Sequence, residues 1–182
     1  MTRYFTADPH YGHSKIILYT GRPFRDCDHM NKHIINEANM RVKPEDECIC
    51  VGDFCMGNAT KSKEFKNRLH GKWTYIRGNH DKNQGTKTLC DWMFLRMAHY
   101  QAFVSHIPYY YTEVVGTAKY ILPDALIDFV EEFCDFSICG HVHDSWSVSL
   151  EGKIPTINVG VDVRNFRPMS EDEIIKEFNA CK

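Results

Sequence analysis

The sequence predicts an α/β fold, because short β-prone runs alternate with amphipathic helical patterns along most of the chain. The chain has 182 residues, of which 43% are hydrophobic, and this suits one domain with an ordinary core. Polar side chains able to bind metal ions follow most of the predicted strands. We therefore expect a single domain, residues 1–182, whose functional side chains meet where its strands end.

The first half of the chain predicts three strands and two helices. Apolar and β-prone residues mark the strands, which we place at residues 3–7, 47–51 and 73–76. Apolar residues recur at helical spacing in two segments, residues 29–40 and 58–69. The second helix is expected to end at Gly71, just before the third strand.

The second half continues the alternation. Strands are predicted at residues 102–105 and 136–139, followed by a hairpin of residues 146–150 and 154–163. Helices are predicted at residues 86–97, at residues 124–133 and from residue 170 onward. Leu89, Met93 and Met97 keep a four-residue step in the first of these helices. Ser170 and Glu173 form a capping-box pattern at the start of the last.

Bulk composition argues against several classes of function. The 22 Lys and Arg against 24 Asp and Glu give a net charge of −2, so nucleic acid is not favoured as a partner. No apolar stretch is long enough for a signal peptide or a membrane span, and we expect a cytoplasmic protein with no membrane partner. The eight cysteines include no CxxC pair, so we expect reduced, mostly buried thiols.

Seven side chains with metal-binding chemistry follow five of the predicted strands. They are Asp8, His10, Asp53, Asn79, His106, His141 and His143. Loops at the carboxyl ends of strands converge on one crevice, so we expect these groups to meet. Carboxylate, amide and imidazole ligands suit manganese, iron, zinc or nickel, and seven are too many for one ion. The set predicts two ions with open positions for water and a phosphoester.

Five short motifs carry a family resemblance: DPH (8–10), GDF (52–54), GNHD (78–81), SH (105–106) and GHVH (140–143). In this order they resemble the calcineurin-like metallophosphoesterases over about three quarters of the chain, in the manner of a small bacterial or phage-type member. Asn158-Val159-Gly160 resembles the family's closing segment, whereas Pro9 departs from its usual pattern. The resemblance implies a four-layer αββα sandwich with two facing mixed β-sheets.

The resemblance also implies a role for each site residue. Asp8, His10 and His143 would hold the first ion, Asn79, His106 and His141 the second, and Asp53 would bridge the two. His80 would protonate the leaving-group oxygen, and Asp81 would orient its imidazole.

Three further residues are candidates for substrate binding, each with an ordinary alternative. Arg77 could meet the phosphate or form a surface ion pair, and His13 could face the phosphate or be a loop imidazole. Arg22 could approach the phosphate or be a solvated loop charge. Residues 14–46, which contain Arg22, are predicted to be an insert that borders the site. Four aromatic residues could stack a nucleobase or simply pack in the core: Tyr109, Tyr110, Tyr111 and Trp146.

These observations favour a dinuclear-metal-dependent phosphoesterase that hydrolyses small phosphodiesters or phosphomonoesters, such as nucleotides, with a metal-activated hydroxide. The alternative is a protein or broad-specificity phosphatase. A non-catalytic scaffold is disfavoured because every expected ligand and the general acid are present. A purely structural metal is disfavoured because structural zinc sites are closed sets of four Cys and His ligands.

Overall fold

Two facing β-sheets form the centre of the protein. The computed structural model describes residues 1–81, 86–111 and 121–182. The first sheet contains β1 (Arg3–Thr6), β2 (Glu47–Val51), β3 (Lys72–Ile76) and β9 (Met169–Ser170), in the order β3-β2-β1-β9. Strands β1, β2 and β3 are parallel, and β9 runs antiparallel to β1. The candidate ligands thus follow strands that end at the same edge.

The second sheet has the order β4-β5-β6-β8-β7. Its strands are β4 (Trp92–Met97), β5 (Tyr100–Ser105), β6 (Phe136–Cys139), β7 (Val148–Ser149) and β8 (Thr156–Asn158). The three central strands β5, β6 and β8 are parallel, while β4 and β7 are antiparallel edge strands. Both sheets are therefore mixed, as predicted.

Helices flank the two sheets. They are α1 (Ile16–Tyr19), α2 (Cys27–Arg41), α3 (Ala59–Lys66), α4 (Asp124–Phe133) and α5 (Glu171–Ala180). A central hydrophobic cluster fills the space between the sheets, a second lies under α2 and α3, and a third lies under α4. The arrangement is the predicted four-layer sandwich. None of the helices in the described ranges is long and apolar enough to cross a bilayer.

Strand β2 has apolar side chains on both of its faces. Ile49 and Val51 point into the cluster between the sheets, whereas Cys50 points into the cluster under α2 and α3. Side chains alternate across a strand, and a strand covered on both faces therefore reads as a continuous apolar run. The eight cysteines are thiols, and five of them are buried.

The helix predicted at residues 86–97 is wrong, because residues Trp92–Met97 form strand β4. Met93 and Met97 pack toward the central cluster and Phe94 packs toward the cluster under α4, which is the alternation of a strand. Leu89 is 71% exposed, so the four-residue step in the sequence does not mark a buried helical face. Pairing of β4 with β5 decides the conformation.

The predicted terminal hairpin is shorter than expected. Only Val148–Ser149 and Thr156–Asn158 pair, and the chain then forms a short 3-10 helix at Val161–Val163. The predicted helix at residues 58–69 also ends earlier, at Lys66. The remaining predicted helices and strands are confirmed within a few residues.

Helix α5 begins with the predicted capping box. The Ser170 side chain accepts a hydrogen bond from the Glu173 backbone N–H, and the Glu173 carboxylate accepts one from the Ser170 backbone N–H. This cap starts the helix that carries Ile174 and Phe178 into the central cluster.

Replacing Ser170 with Ala should lower the free energy of unfolding by about 1 kcal/mol, because it leaves a helix N–H without its acceptor. Urea unfolding followed by circular dichroism measures the change. Ser147→Ala, at an exposed position, is the control and should stay within about 0.5 kcal/mol of the original protein. Equal stability of the two variants would contradict the assignment of the cap.

Candidate metal centre

The structure brings the seven predicted ligands together at the carboxyl ends of five strands. Asp8 and His10 follow β1, Asp53 follows β2, Asn79 follows β3, His106 follows β5, and His141 and His143 follow β6. These strands belong to both sheets, so the site lies where the two sheets meet.

Two groups of ligand atoms are close enough to hold metal ions. Each group has its ligand atoms within 4.8 Å of one another; the first is Asp8, His10 and His143, and the second is Asp8, Asp53 and His106. The Asp53 Oδ2 atom lies 3.6 Å from His10 Nε2 and 3.4 Å from His106 Nε2. Asp53, a member of the second group, therefore also lies close to His10 of the first group, where a bridging ligand is expected. Asp8 belongs to both groups.

Asn79 extends the second group. Its Oδ1 atom lies 3.0 Å from His106 Nε2 and 3.0 Å from His141 Nδ1. His106 is fixed from the other side, because its Nδ1 lies 2.8 Å from the Val51 carbonyl oxygen and donates to it. The Nε2 atom of His106 is thus directed toward the carboxylates.

The chemistry of this donor set fits metal ions. Asp8 Oδ1 and His10 Nε2 are buried and have no hydrogen-bond partner within the described chain. Buried polar atoms are normally paired, and leaving one unpaired costs roughly 1–3 kcal/mol. A cation bound between these two atoms would satisfy both of them.

Five of the seven candidate ligands have a left-handed backbone. They are Asp8, His10, Asp53, His141 and His143, with φ between 48° and 70°. Side-chain-bearing residues rarely adopt this conformation, and such strain costs of order 1–3 kcal/mol per residue unless the surroundings enforce it. Here the flanking strands of two sheets fix each turn. Concentrated strain of this kind is characteristic of a functional site.

Glycines in three of the motifs make room for the ligands. A Cβ atom on Gly78 would lie 2.1 Å from Asp53 Oδ1, and one on Gly140 would lie 2.5 Å from Asp8 Oδ2. A Cβ atom on Gly52 would lie 2.3 Å from the Nδ1 atom of His106. The glycines are therefore required by close approach of the ligating side chains.

Burial and charge set the protonation of the site. Burial would lower the pKa of His106, but the carboxylates of Asp53 and Asp8 outweigh it and raise that pKa to about 10. Burial and the neighbouring His106 lower the pKa of His141 to about 4, which favours the neutral ligand form. Ligand nitrogens must be deprotonated to bind a metal, so cation binding here would displace the proton that His106 shares with Asp53.

Asp81 does not orient the His80 imidazole, which corrects the sequence-based prediction. Its Oδ2 atom accepts hydrogen bonds from the backbone N–H groups of Asp53 and Gly78, both at 2.8 Å, and its Oδ1 atom accepts one from Phe54 at 3.1 Å. With both oxygens bonded to backbone amides, the carboxylate holds the left-handed turn at Asp53. Asp81 thus helps to position the candidate ligand Asp53.

Arg22 is neither a solvated loop charge nor a phosphate-facing group. Its side chain is buried and forms a bidentate ion pair with Asp162, with Nε to Oδ1 at 2.7 Å and an Nη2 atom to Oδ2 at 2.8 Å. The other N–H groups donate to the Asp8 and Pro9 carbonyls and to the Met30 sulfur. All five donors of the guanidinium are used, so none is left for a substrate.

A cleft of about 460 Å³ opens above the ligands. It is lined by His10, His13, Ile16, Tyr19, Thr20, His80, Tyr111, His141, Val142, His143, Asp144 and Ser145. Ile16, Tyr19 and Thr20 of this lining belong to residues 14–46. That this segment is an insert stays a prediction. The His80 side chain is exposed to the cleft, and its backbone N–H donates to Asp53 Oδ1 at 2.9 Å.

The remaining substrate-binding candidates differ in position. His13 lines the cleft, with its ring 5.4 Å from that of His10 and its Nδ1 atom buried without a partner in the described chain. Its contact with substrate stays a prediction. Arg77 forms the surface ion pair that was its alternative, 2.8 Å from Asp91, and lines a separate cavity of about 260 Å³.

The aromatic candidates lie in different parts of the structure. Tyr109 is a core residue, and its hydroxyl accepts a hydrogen bond from Ile154 N–H. Tyr110 donates to Ser149 Oγ. Tyr111 reaches the cleft. Sequence reasoning missed Tyr19 and Thr20 in the cleft lining, and it missed Asp162, which contacts Arg22 and lies 2.9 Å from His143 Nδ1.

Comparison with known families agrees with this geometry. The sequence model of the calcineurin-like phosphoesterase superfamily domain matches residues 26–168. The chain belongs to this superfamily.

Relatives extend over nearly the whole chain. An uncharacterized protein of Methanocaldococcus jannaschii is 31% identical, covering 95% of this chain and 89% of its own length. A protein of unknown function from Aquifex aeolicus has a crystal structure with a TM-score of 0.74 and 25% identity, covering 96% of this chain and 98% of that chain. An archaeal phosphodiesterase has a TM-score of 0.48 and 15% identity, covering 88% of this chain and 84% of that chain.

Replacing Gly78 with Ala should weaken cation binding about 10- to 100-fold, since a Cβ atom there displaces the Asp53 carboxylate. Titration of Mn²⁺ against a competing chelator measures the affinity. Gly152→Ala is the matched control, because its Cβ atom would meet the Tyr109 hydroxyl at 2.1 Å, away from the ligands. Unchanged affinity in the Gly78 variant would show that Asp53 does not contribute to binding.

Proposed function

We propose that this protein is a metal-dependent phosphoesterase that acts on small phosphate esters, with phosphodiesters such as cyclic or bridged nucleotides as the preferred class. The observation that carries the proposal is the pair of ligand groups that share Asp8 at the floor of an open cleft. Structural metal sites are closed, whereas this one faces a space large enough for a nucleotide-sized ligand. The family membership supports the same class of reaction.

Asp8, His10 and His143 would hold one ion, Asn79, His106 and His141 the other, and Asp53 would bridge them. Manganese, iron, zinc and nickel suit this oxygen and imidazole set. When bound, such ions supply a water of lowered pKa and neutralise charge on the phosphoryl oxygens. The ligand turns contribute rigidity, because their strained conformations are held by the flanking strands.

His80 is the proposed general acid. Hydrolysis of an ester leaves an alkoxide oxygen, and a positioned imidazolium can neutralise it. His80 meets the positional requirement because its side chain lines the cleft while its backbone N–H is fixed to the Asp53 carboxylate. The residue is thereby tied to a ligand without being one.

The charge of the cleft favours diesters over monoesters. The described residues that line it include no Lys or Arg, and they do include Asp144. A phosphomonoester is close to a dianion at neutral pH, while a phosphodiester is a monoanion that needs less positive charge for binding. The competing function, a broad-specificity or protein phosphatase, would draw support from Arg77, but that side chain pairs with Asp91 outside the cleft.

The purified protein should contain transition-metal ions and should hydrolyse bis-p-nitrophenyl phosphate faster than p-nitrophenyl phosphate. Elemental analysis and a substrate panel under Mn²⁺, Zn²⁺, Ni²⁺ and Fe²⁺ measure both properties. Treatment with a chelator should abolish turnover, and adding back the ion should restore it. Faster monoester hydrolysis would favour the phosphatase, and absence of any hydrolysis with both ions bound would favour a scaffold.

Replacing His80 with Ala should lower the turnover number by about 10²- to 10⁴-fold while leaving metal content unchanged, because the acid is lost and the ligands are kept. His70→Ala, on the protein surface, is the control and should keep full activity. Steady-state kinetics and elemental analysis of the same samples separate the two effects. Loss of metal from the His80 variant would make it a ligand or a structural residue.

A further inference from the structure

The buried ion pair between Arg22 and Asp162 connects distant parts of the chain. Arg22 lies just after α1, and Asp162 lies in the short 3-10 helix that follows β8, 140 residues away in sequence. The Arg22 side chain is 0% exposed and that of Asp162 is 3% exposed. A buried ion pair is weak evidence for stability, since the cost of desolvation offsets the attraction, so its role is sought in the groups that it contacts.

Arg22 contacts the turn that carries two ligands of the first group, Asp8 and His10. An Nη2 N–H donates to the Asp8 carbonyl at 2.8 Å, and an Nη1 N–H donates to the Pro9 carbonyl at 3.2 Å. These carbonyls belong to the turn in which Asp8 and His10 have left-handed backbones, with φ of 56° and 48°. The guanidinium therefore fixes the strained turn that carries two ligands.

Asp162 contacts the third ligand of the first group, His143. Its Oδ2 atom lies 2.9 Å from His143 Nδ1, which donates to it. Because the proton is on Nδ1, the Nε2 atom of His143 remains as the nitrogen available to a metal. Carboxylates behind ligating histidines fix the ring and its tautomer in this way.

The second ligand group is supported by different contacts. The backbone carbonyl of Val51 fixes His106, and Asp81 fixes the turn at Asp53. Neither contact involves Arg22 or Asp162. The two groups share Asp8 and otherwise depend on separate supports.

We propose that the Arg22–Asp162 pair is a positioning element for one metal position, the one formed by Asp8, His10 and His143. The inference rests on the proposed function, and it adds that the two positions can be weakened to different extents. Loss of the pair removes the contacts to the Asp8–His10 turn and to His143, and it reaches the second position only through the shared Asp8.

The test replaces both partners, Arg22→Met with Asp162→Leu, so that no unpaired charge is left buried and the chain retains its fold. Titration of Mn²⁺ or Zn²⁺ against a competing chelator should show two ions on the original protein. In the double variant one ion should bind about 10- to 100-fold more weakly, and the other should lose clearly less affinity because it depends on the pair only through Asp8. A second readout needs no metal: ¹⁵N-detected imidazole spectra should lose the hydrogen-bonded Nδ1 proton of His143.

Asp162→Asn provides a second variant in which shape is kept, and it should weaken the same ion. Glu171→Gln is the matched control, since it breaks the ion pair with Arg3, whose Nη1 lies 2.9 Å from the carboxylate, far from the ligands. Equal loss of both ions, or loss of neither, in a folded variant would overturn the inference while the proposed function stands. Failure of the original protein to bind any ion would overturn both.

Discussion

Burial of two carboxylates at neighbouring strand ends is the constraint on which the rest of the site depends. Asp8 and Asp53 are almost wholly inaccessible to solvent, and an isolated buried charge is too costly to persist. Backbone N–H groups of His141 and His80 donate to one oxygen of each carboxylate. The surrounding imidazoles and, by inference, bound cations compensate for the remaining charge. The fold supplies this arrangement because parallel strands of two sheets end at one place.

Positional accuracy in this site comes from the backbone as much as from side chains. The ligand turns adopt left-handed conformations that no isolated loop would keep, and the strands on either side enforce them. Gly52, Gly78 and Gly140 let ligating groups approach the backbone of a different motif within distances that a Cβ atom would prevent. The motifs therefore combine ligands with the glycines that make their convergence sterically feasible.

The cleft above the candidate ligands is open and lined by polar and aromatic side chains. Its floor is the cluster of candidate metal ligands, and its walls carry imidazoles, tyrosines and a carboxylate without a described Lys or Arg. Helix α1 forms part of the wall, and Arg22, which follows it, reaches under the site. The segment between the first two motifs thus contributes both to the substrate side and to the foundation of the ligand turns.

The sequence by itself determined the features that depend on neighbouring residues or on the order of motifs along the chain. The capping-box pair Ser170 and Glu173 predicted the start of α5. The helical spacing of Met30 and Ile34 predicted α2, and the order of the motifs identified all seven candidate ligands. Only the tertiary structure decided the strand at β4, because pairing with β5 overrides an apolar step that fits either period. It also decided the roles of Asp81, Arg22 and Asp162. The contacts that define these roles include pairs far apart in the chain, such as Asp81 with Asp53, 28 residues apart, and Arg22 with Asp162, 140 residues apart. Contacts at such separations have no periodicity that a single sequence can display.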